Sequence, residues 1–210
     1  MYTDNKNNVD LKKRLVLGCG ALVYDLVDLI KQNPGLSELV DLQCLPASWH
    51  NKPQLIAPGV DKYLSKNADN YSDVYIAYAD CGTGGELDRV INKYNAKRIG
   101  GSHCYEFFAG TKLFNELSEQ ELGTFYLTDY LVKNFQKIII QGLGLDKHPE
   151  LFEVYFSNYK KLVYLAQTDN ERWQKEASRY AQDFGFEYEY RLVGTGNLDT
   201  VFNGIELATI

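Results

Sequence analysis

The chain has 210 residues, 45% apolar and 24% charged, with a formal net charge of −6. That length supports one sizeable core, and an acidic chain with scattered Lys and Arg lacks the basic face that nucleic acid requires. No apolar run reaches membrane-spanning length, and the polar start over residues 1–10 lacks the apolar centre of a secretory signal, so a cytoplasmic chain is expected.

Residues 1–13 read as a flexible N-terminal segment ahead of a single α/β domain over 14–210. A short buried-type strand is expected at 14–18. A helix follows over 21–32, with Leu22, Leu26, Leu29 and Ile30 on one face and a stop at Asn33-Pro34-Gly35. A second strand falls at 39–43, and the proline-rich stretch 45–58 reads as a long loop before a short helix at 59–66. The clearest strand is 74–79, leading through Cys81-Gly82-Thr83-Gly84-Gly85 into a helix over 86–94. A brief fourth strand is expected at 97–100.

Residues 103–142 read as helical, broken near Gly110 and Gly123, with Thr124 capping an amphipathic helix that runs to Ile140. A short helix at 150–159 precedes a fifth strand at 161–166. A helix over 170–184 ends at Gly185, and 187–193 reads as a half-exposed edge strand. Strands alternating with helices imply one mostly parallel sheet of five or six strands with helices on both faces, a Rossmann-like plan.

All four cysteines follow extended apolar runs. On parallel strands, Cys19, Cys44, Cys81 and Cys104 would line the carboxyl edge of the sheet, where open α/β folds bind ligands. In a reducing compartment such thiols are metal ligands or catalytic groups rather than disulfides. Cys and His suit zinc, and several thiolates suit an iron–sulfur cluster, so these four with His50 and His148 are the candidate ligands. No CxxC pair is present, which excludes zinc ribbons and ferredoxin-type runs.

The glycine turn after Cys81 offers several N–H groups at a helix start, a cradle for an anion. Gly82, Thr83, Gly84 and Gly85 are therefore candidate cofactor-binding residues, with at least one glycine expected at positive φ. Thr168, in Gln167-Thr168-Asp169 at the end of the fifth strand, is a further candidate for the same crevice. His103, Glu106 and Asp80 are the candidate proton-handling residues, His103 and Glu106 being spaced to share a helix face. The plain alternatives are a structural strand-to-helix turn and buried cysteines acting as small apolar side chains. Asp129, in a mostly apolar context, hints at more than a packing helix.

The strings Tyr78-Ala79-Asp80-Cys81-Gly82-Thr83-Gly84-Gly85-Glu86-Leu87-Asp88 and His103-Cys104-Tyr105-Glu106-Phe107-Phe108-Ala109-Gly110 resemble the domain-of-unknown-function family 1638. Cys44-Leu45-Pro46 with His50-Asn51, and Tyr164-Leu165-Ala166-Gln167-Thr168, fit the same pattern. The resemblance implies a place near corrinoid-dependent methyltransferases, hence one-carbon metabolism, and names no reaction. The leading expectation is a metal-dependent enzyme or accessory protein of corrinoid-linked methyl-group metabolism, holding zinc or an iron–sulfur cluster. Its partner would be a small-molecule substrate or a corrinoid protein. One alternative is a non-catalytic module binding a corrinoid or a small anion. Another is a metal-free enzyme with Cys81 as nucleophile and His103 as base.

Overall fold

Leu15, Val16 and Leu17 are fully buried in a computed structural model of the chain, which describes residues 12–203 and 205. A short run that is apolar on both faces has to be covered on both, and here it forms the centre of a parallel sheet. The expected flexible segment lies outside the described residues except for Lys12 and Lys13.

In chain order the elements are β1 (Arg14–Cys19), α1 (Val23–Gln32), α2 (Pro34–Leu39), β2 (Val40–Leu45), α3 (Ile56–Asn67), β3 (Val74–Ala77), α4 (Glu86–Lys93) and β4 (Lys97–Arg98). There follow α5 (Cys104–Gln120), β5 (Thr124–Leu127), α6 (Asp129–Lys133), α7 (Leu151–Phe156), β6 (Lys161–Ala166), α8 (Glu171–Phe184) and β7 (Glu187–Leu192). The expected loop at 45–58 is instead two 3-10 turns, Ala47–Asn51 and Pro53–Leu55, running into α3.

The strands form two parallel sheets rather than one, ordered β2-β1-β3-β4 and β5-β6-β7. One part of the difference is Thr124–Leu127, which reads as helical in the sequence. Four residues carry too little periodicity to separate strand from helix. Their β-branched and aromatic side chains pair in parallel register with Lys161–Tyr164, which adds a seventh strand and opens the second sheet. The helix start moves to α6, where the Thr128 hydroxyl accepts the Leu131 N–H at 3.4 Å.

The architecture remains a single mixed α/β domain with helices flanking both sheets, roughly Rossmann-like. On the first sheet, Leu22 and Leu26 pack on one face, and Val60, Leu64, Leu87 and Ile91 on the other. Helix α5 serves both sheets. Phe107 and Phe108 join the core of the first, while Phe114 and Leu117 join that of the second. Between them Gly110 (φ 72°, ψ 152°) breaks the helix, a backbone state that suits glycine, and the break re-aims the second half. Among the described residues no helix is long and apolar enough to cross a membrane.

Candidate functional site

The site grows from the carboxyl ends of the first sheet. β1 ends at Cys19 and turns at once into Gly20–Leu22, with the Cys19 sulfur accepting the Ala21 N–H at 3.5 Å. A Cβ at Gly20 would stand 2.8 Å from the Leu45 carbonyl, so the turn passes β2 only because that residue is glycine. Burial pushes the Cys19 thiol up to about 12, leaving it protonated at neutral pH.

Cys44 also lies at this edge but does not join. Cys19 stands opposite Leu45 in the ladder and Cys44 opposite Gly18. Side chains alternate along a strand, so the single-residue offset sends Cys44 to the other face, where it is exposed.

After β3 the chain enters the glycine turn. Cys81 adopts φ 49°, a left-handed backbone that costs a residue with a side chain about 1 kcal/mol. Gly82, Gly84 and Gly85 follow at φ 81°, 62° and 86°. Their amides do not form an open cradle. The Asp80 carboxylate accepts the Gly85 N–H at 2.9 Å, the Gly84 N–H at 3.1 Å and the Thr83 hydroxyl at 2.8 Å. Burial raises the Asp80 pKa, but these donors more than offset it and the net direction is down. The expected anion site at Gly82, Thr83, Gly84 and Gly85 is thus filled by the protein's own carboxylate, and Asp80 is a turn-holding residue.

Cys104 opens α5 and brings its own N–H to the same place. The Asp80 N–H donates to the Gly101 carbonyl at 3.1 Å and the Cys81 N–H to the Ser102 carbonyl at 2.8 Å, clamping the two loops together. The Cys104 thiol lies against the Cys81 sulfur and lowers its pKa. Burial opposes this, and the Cys104 and Ala79 backbones assist. Cys104 itself is held well above the usual thiol range by Cys81 and by burial. The pair therefore divides into a thiolate-prone Cys81 and a protonated Cys104.

A cavity of about 550 Å³ lies over these groups, lined by Cys19, Cys81, Cys104, His50 and His103 and by aromatic residues that include Trp49, Tyr78, Tyr105, Phe114 and Tyr126. None of its lining residues is Lys or Arg. His50 Nε2 stands 3.1 Å from the Tyr105 hydroxyl. Burial, then the neighbouring His103, push His50 down to about 4, so it is neutral at pH 7. Burial keeps Tyr105 a phenol, so two neutral groups share this bond. His103 is exposed at the rim as the residue that caps α5. The Tyr126 hydroxyl is buried in the cavity wall with no hydrogen-bond partner among the described residues. That of Tyr78 also lacks a partner of normal geometry and lies near the Cys19 sulfur.

The remaining candidates fall elsewhere. His148 is exposed, its Nδ1 3.2 Å from Glu150. Glu106 accepts the Ser102 N–H at 3.0 Å and the Thr111 hydroxyl at 2.9 Å, closing the loop before α5 rather than facing the thiols. Thr168 gives its N–H and hydroxyl to Asp129, at 3.0 and 2.7 Å. Three thiols thus share a cavity, yet among the described residues no group of three or more His, Cys, Asp or Glu side chains has metal-holding geometry. As positioned, the donors do not fit a zinc or iron–sulfur centre.

Sequence reasoning missed the aromatic wall. Tyr105 sits beside Cys104 in the motif, and nothing in the sequence pairs it with His50, 55 residues earlier. Tyr126 was hidden by the helical reading of its strand.

A family model described as "Protein of unknown function (DUF1638)" matches residues 44–202. No curated protein and no solved structure matches the chain.

Proposed function

The chain belongs to the DUF1638 family, and from that premise we propose that it is a cysteine-dependent enzyme whose Cys81 thiolate attacks a small uncharged substrate held in the aromatic cavity. One observation carries the reading. Cys81 sits in a left-handed backbone at a strand end, under a cavity, with the Cys104 N–H and thiol drawing its sulfur toward the thiolate. A thiolate is the reactive form of cysteine, and a helix start beside it is a recurring means of stabilising one.

The substrate class follows from the walls. With no Lys or Arg lining the cavity among the described residues, and with the Gly84 and Gly85 amides committed to Asp80, no fixed cationic side chain there offsets a substrate anion. The rings favour a flat, mostly apolar molecule. In the reaction the Cys81 sulfur forms a bond to an electrophilic carbon and the leaving group departs with its electron pair. His103, at the rim, hands that group a proton. A methyl or alkyl donor of one-carbon metabolism, the setting the family resemblance implies, provides such a carbon. Zinc or an iron–sulfur cluster would require the donors to rearrange.

The test is the pH dependence of alkylation by iodoacetamide. Cys81 should reach half its maximal rate below the ordinary thiol range. That reactivity should vanish in Cys81→Ser and persist in Cys19→Ser and Cys44→Ser. A Cys81 no faster than free cysteine at pH 7 overturns the proposal.

A further inference from the structure

Two thiols, not one, are assembled at the base of the cavity. The clamp between Asp80-Cys81 and Gly101-Ser102 fixes the two loops side by side, at 3.1 and 2.8 Å. Cys104 is the first residue of α5, and its thiol lies within hydrogen-bonding reach of the Cys81 sulfur. Both are free thiols lining one cavity. Cys19 shares that cavity, but its sulfur is engaged by the Ala21 N–H.

We infer that Cys81 and Cys104 form a dithiol that reduces low-molecular-weight disulfides, Cys81 attacking and Cys104 resolving. The inference rests on Cys81 being a nucleophile and adds a second thiol and a second substrate class. The Cys81 thiolate attacks one sulfur of R–S–S–R. A Cys81–S–S–R bond forms, the substrate S–S bond breaks, and RS⁻ leaves with the electron pair. Cys104 then loses its proton and attacks the Cys81 sulfur, which forms Cys81–Cys104 and expels the second RS⁻. Two electrons pass from the dithiol to the substrate, and the two leaving thiolates are protonated to thiols.

The order of attack follows from the surroundings. At rest the Cys81 charge and burial hold the proton on Cys104. Once Cys81 is a mixed disulfide that charge is gone, and the positive end of α5 favours a Cys104 thiolate. His103, exposed at the residue before Cys104, stands at the rim to carry the released proton to solvent.

Wild type and the Cys81→Ser, Cys104→Ser, Cys104→Ala and Cys19→Ser variants are to be incubated without oxygen with bis(2-hydroxyethyl) disulfide, a small uncharged disulfide, then analysed by intact mass and peptide mapping. Circular dichroism confirms the fold of each. Wild type and Cys19→Ser should yield a Cys81–Cys104 peptide two hydrogens lighter than the dithiol, with no adduct on either residue. Both Cys104 variants should retain one hydroxyethylthio group on Cys81. A stable adduct on wild-type Cys81 overturns the dithiol while leaving the nucleophile intact. A Cys19–Cys81 bridge in wild type also overturns it, as does a Cys81 that iodoacetamide alkylates but the disulfide leaves untouched. A Cys81 inert to both reagents removes the nucleophile and the dithiol together.

Discussion

The Asp80 carboxylate accepts the Gly85 amide at 2.9 Å, so the turn that looked built for an external anion is closed by a residue at its own start. The same carboxylate faces Cys81 and opposes its ionisation. Asp80→Asn keeps an acceptor oxygen and removes the charge, so the Cys81 alkylation midpoint should move to lower pH. Asp80→Ala removes the acceptor as well and should cost about 1–2 kcal/mol in urea unfolding. An unchanged midpoint in Asp80→Asn would show that the charge does not reach the sulfur.

Asp129 is the polar centre of the second sheet. It is buried and accepts the Tyr164 hydroxyl at 2.7 Å, the Gln167 N–H at 3.0 Å, and the N–H and hydroxyl of Thr168. Asp129→Ala would leave four donors without an acceptor, and a loss of about 3 kcal/mol or more is expected. Asp129→Asn, which retains one acceptor oxygen, should lose less. Chemical denaturation of both variants measures the difference.

Tyr126→Phe should not destabilise the protein. Its hydroxyl is buried with no partner among the described residues, so removing it relieves a desolvation cost and should leave stability unchanged or raise it by about 0.5–1 kcal/mol. A loss of stability on thermal unfolding would reveal a bond to that hydroxyl.

Two groups set opposing pH responses. The His50 pKa is lowered to about 4, so its contribution is present above the unfolded value near 6.5 and is lost as pH falls toward 4. The Asp25 pKa is raised to about 6 by burial and by the Asp129 charge, so its contribution is present below the unfolded value of 3.8 and is lost as pH rises through 6. Over the window from about 4 to 6.5 the two oppose each other. Asp25→Asn should therefore raise the melting temperature at pH 7.5 by a few degrees more than at pH 4. His50→Gln should flatten the acid side of the same profile.

The strand-end placement of the cysteines was legible because buried parallel strands are continuous apolar runs and their ends are marked by glycine. Cys44 shows the limit of that reading. Reaching the edge is a matter of strand position, whereas facing the cavity depends on one residue of register, which pattern alone does not set. The filling of the glycine turn was equally out of sight, since a neighbouring carboxylate and an external anion satisfy the same amides. Thr124–Leu127 is a four-residue element whose identity comes from its partner β6, far along the chain. Tyr126 and the second sheet stayed hidden with it.

The core of the first sheet is finished by the far end of the chain. Leu198, Val201, Phe202 and Ile205 are buried in one cluster with Val16, Leu26 and Ala77. During synthesis from the N-terminus, β1 through β4 can pair once they emerge and α1 can pack on one face, but that face is only partly covered until Leu198, Val201, Phe202 and Ile205 arrive. For that interval Val16 and Ala77 present an apolar surface to the surroundings, and a ribosome-bound chain stopped before Leu198 should be cut by protease at sites the complete fold protects.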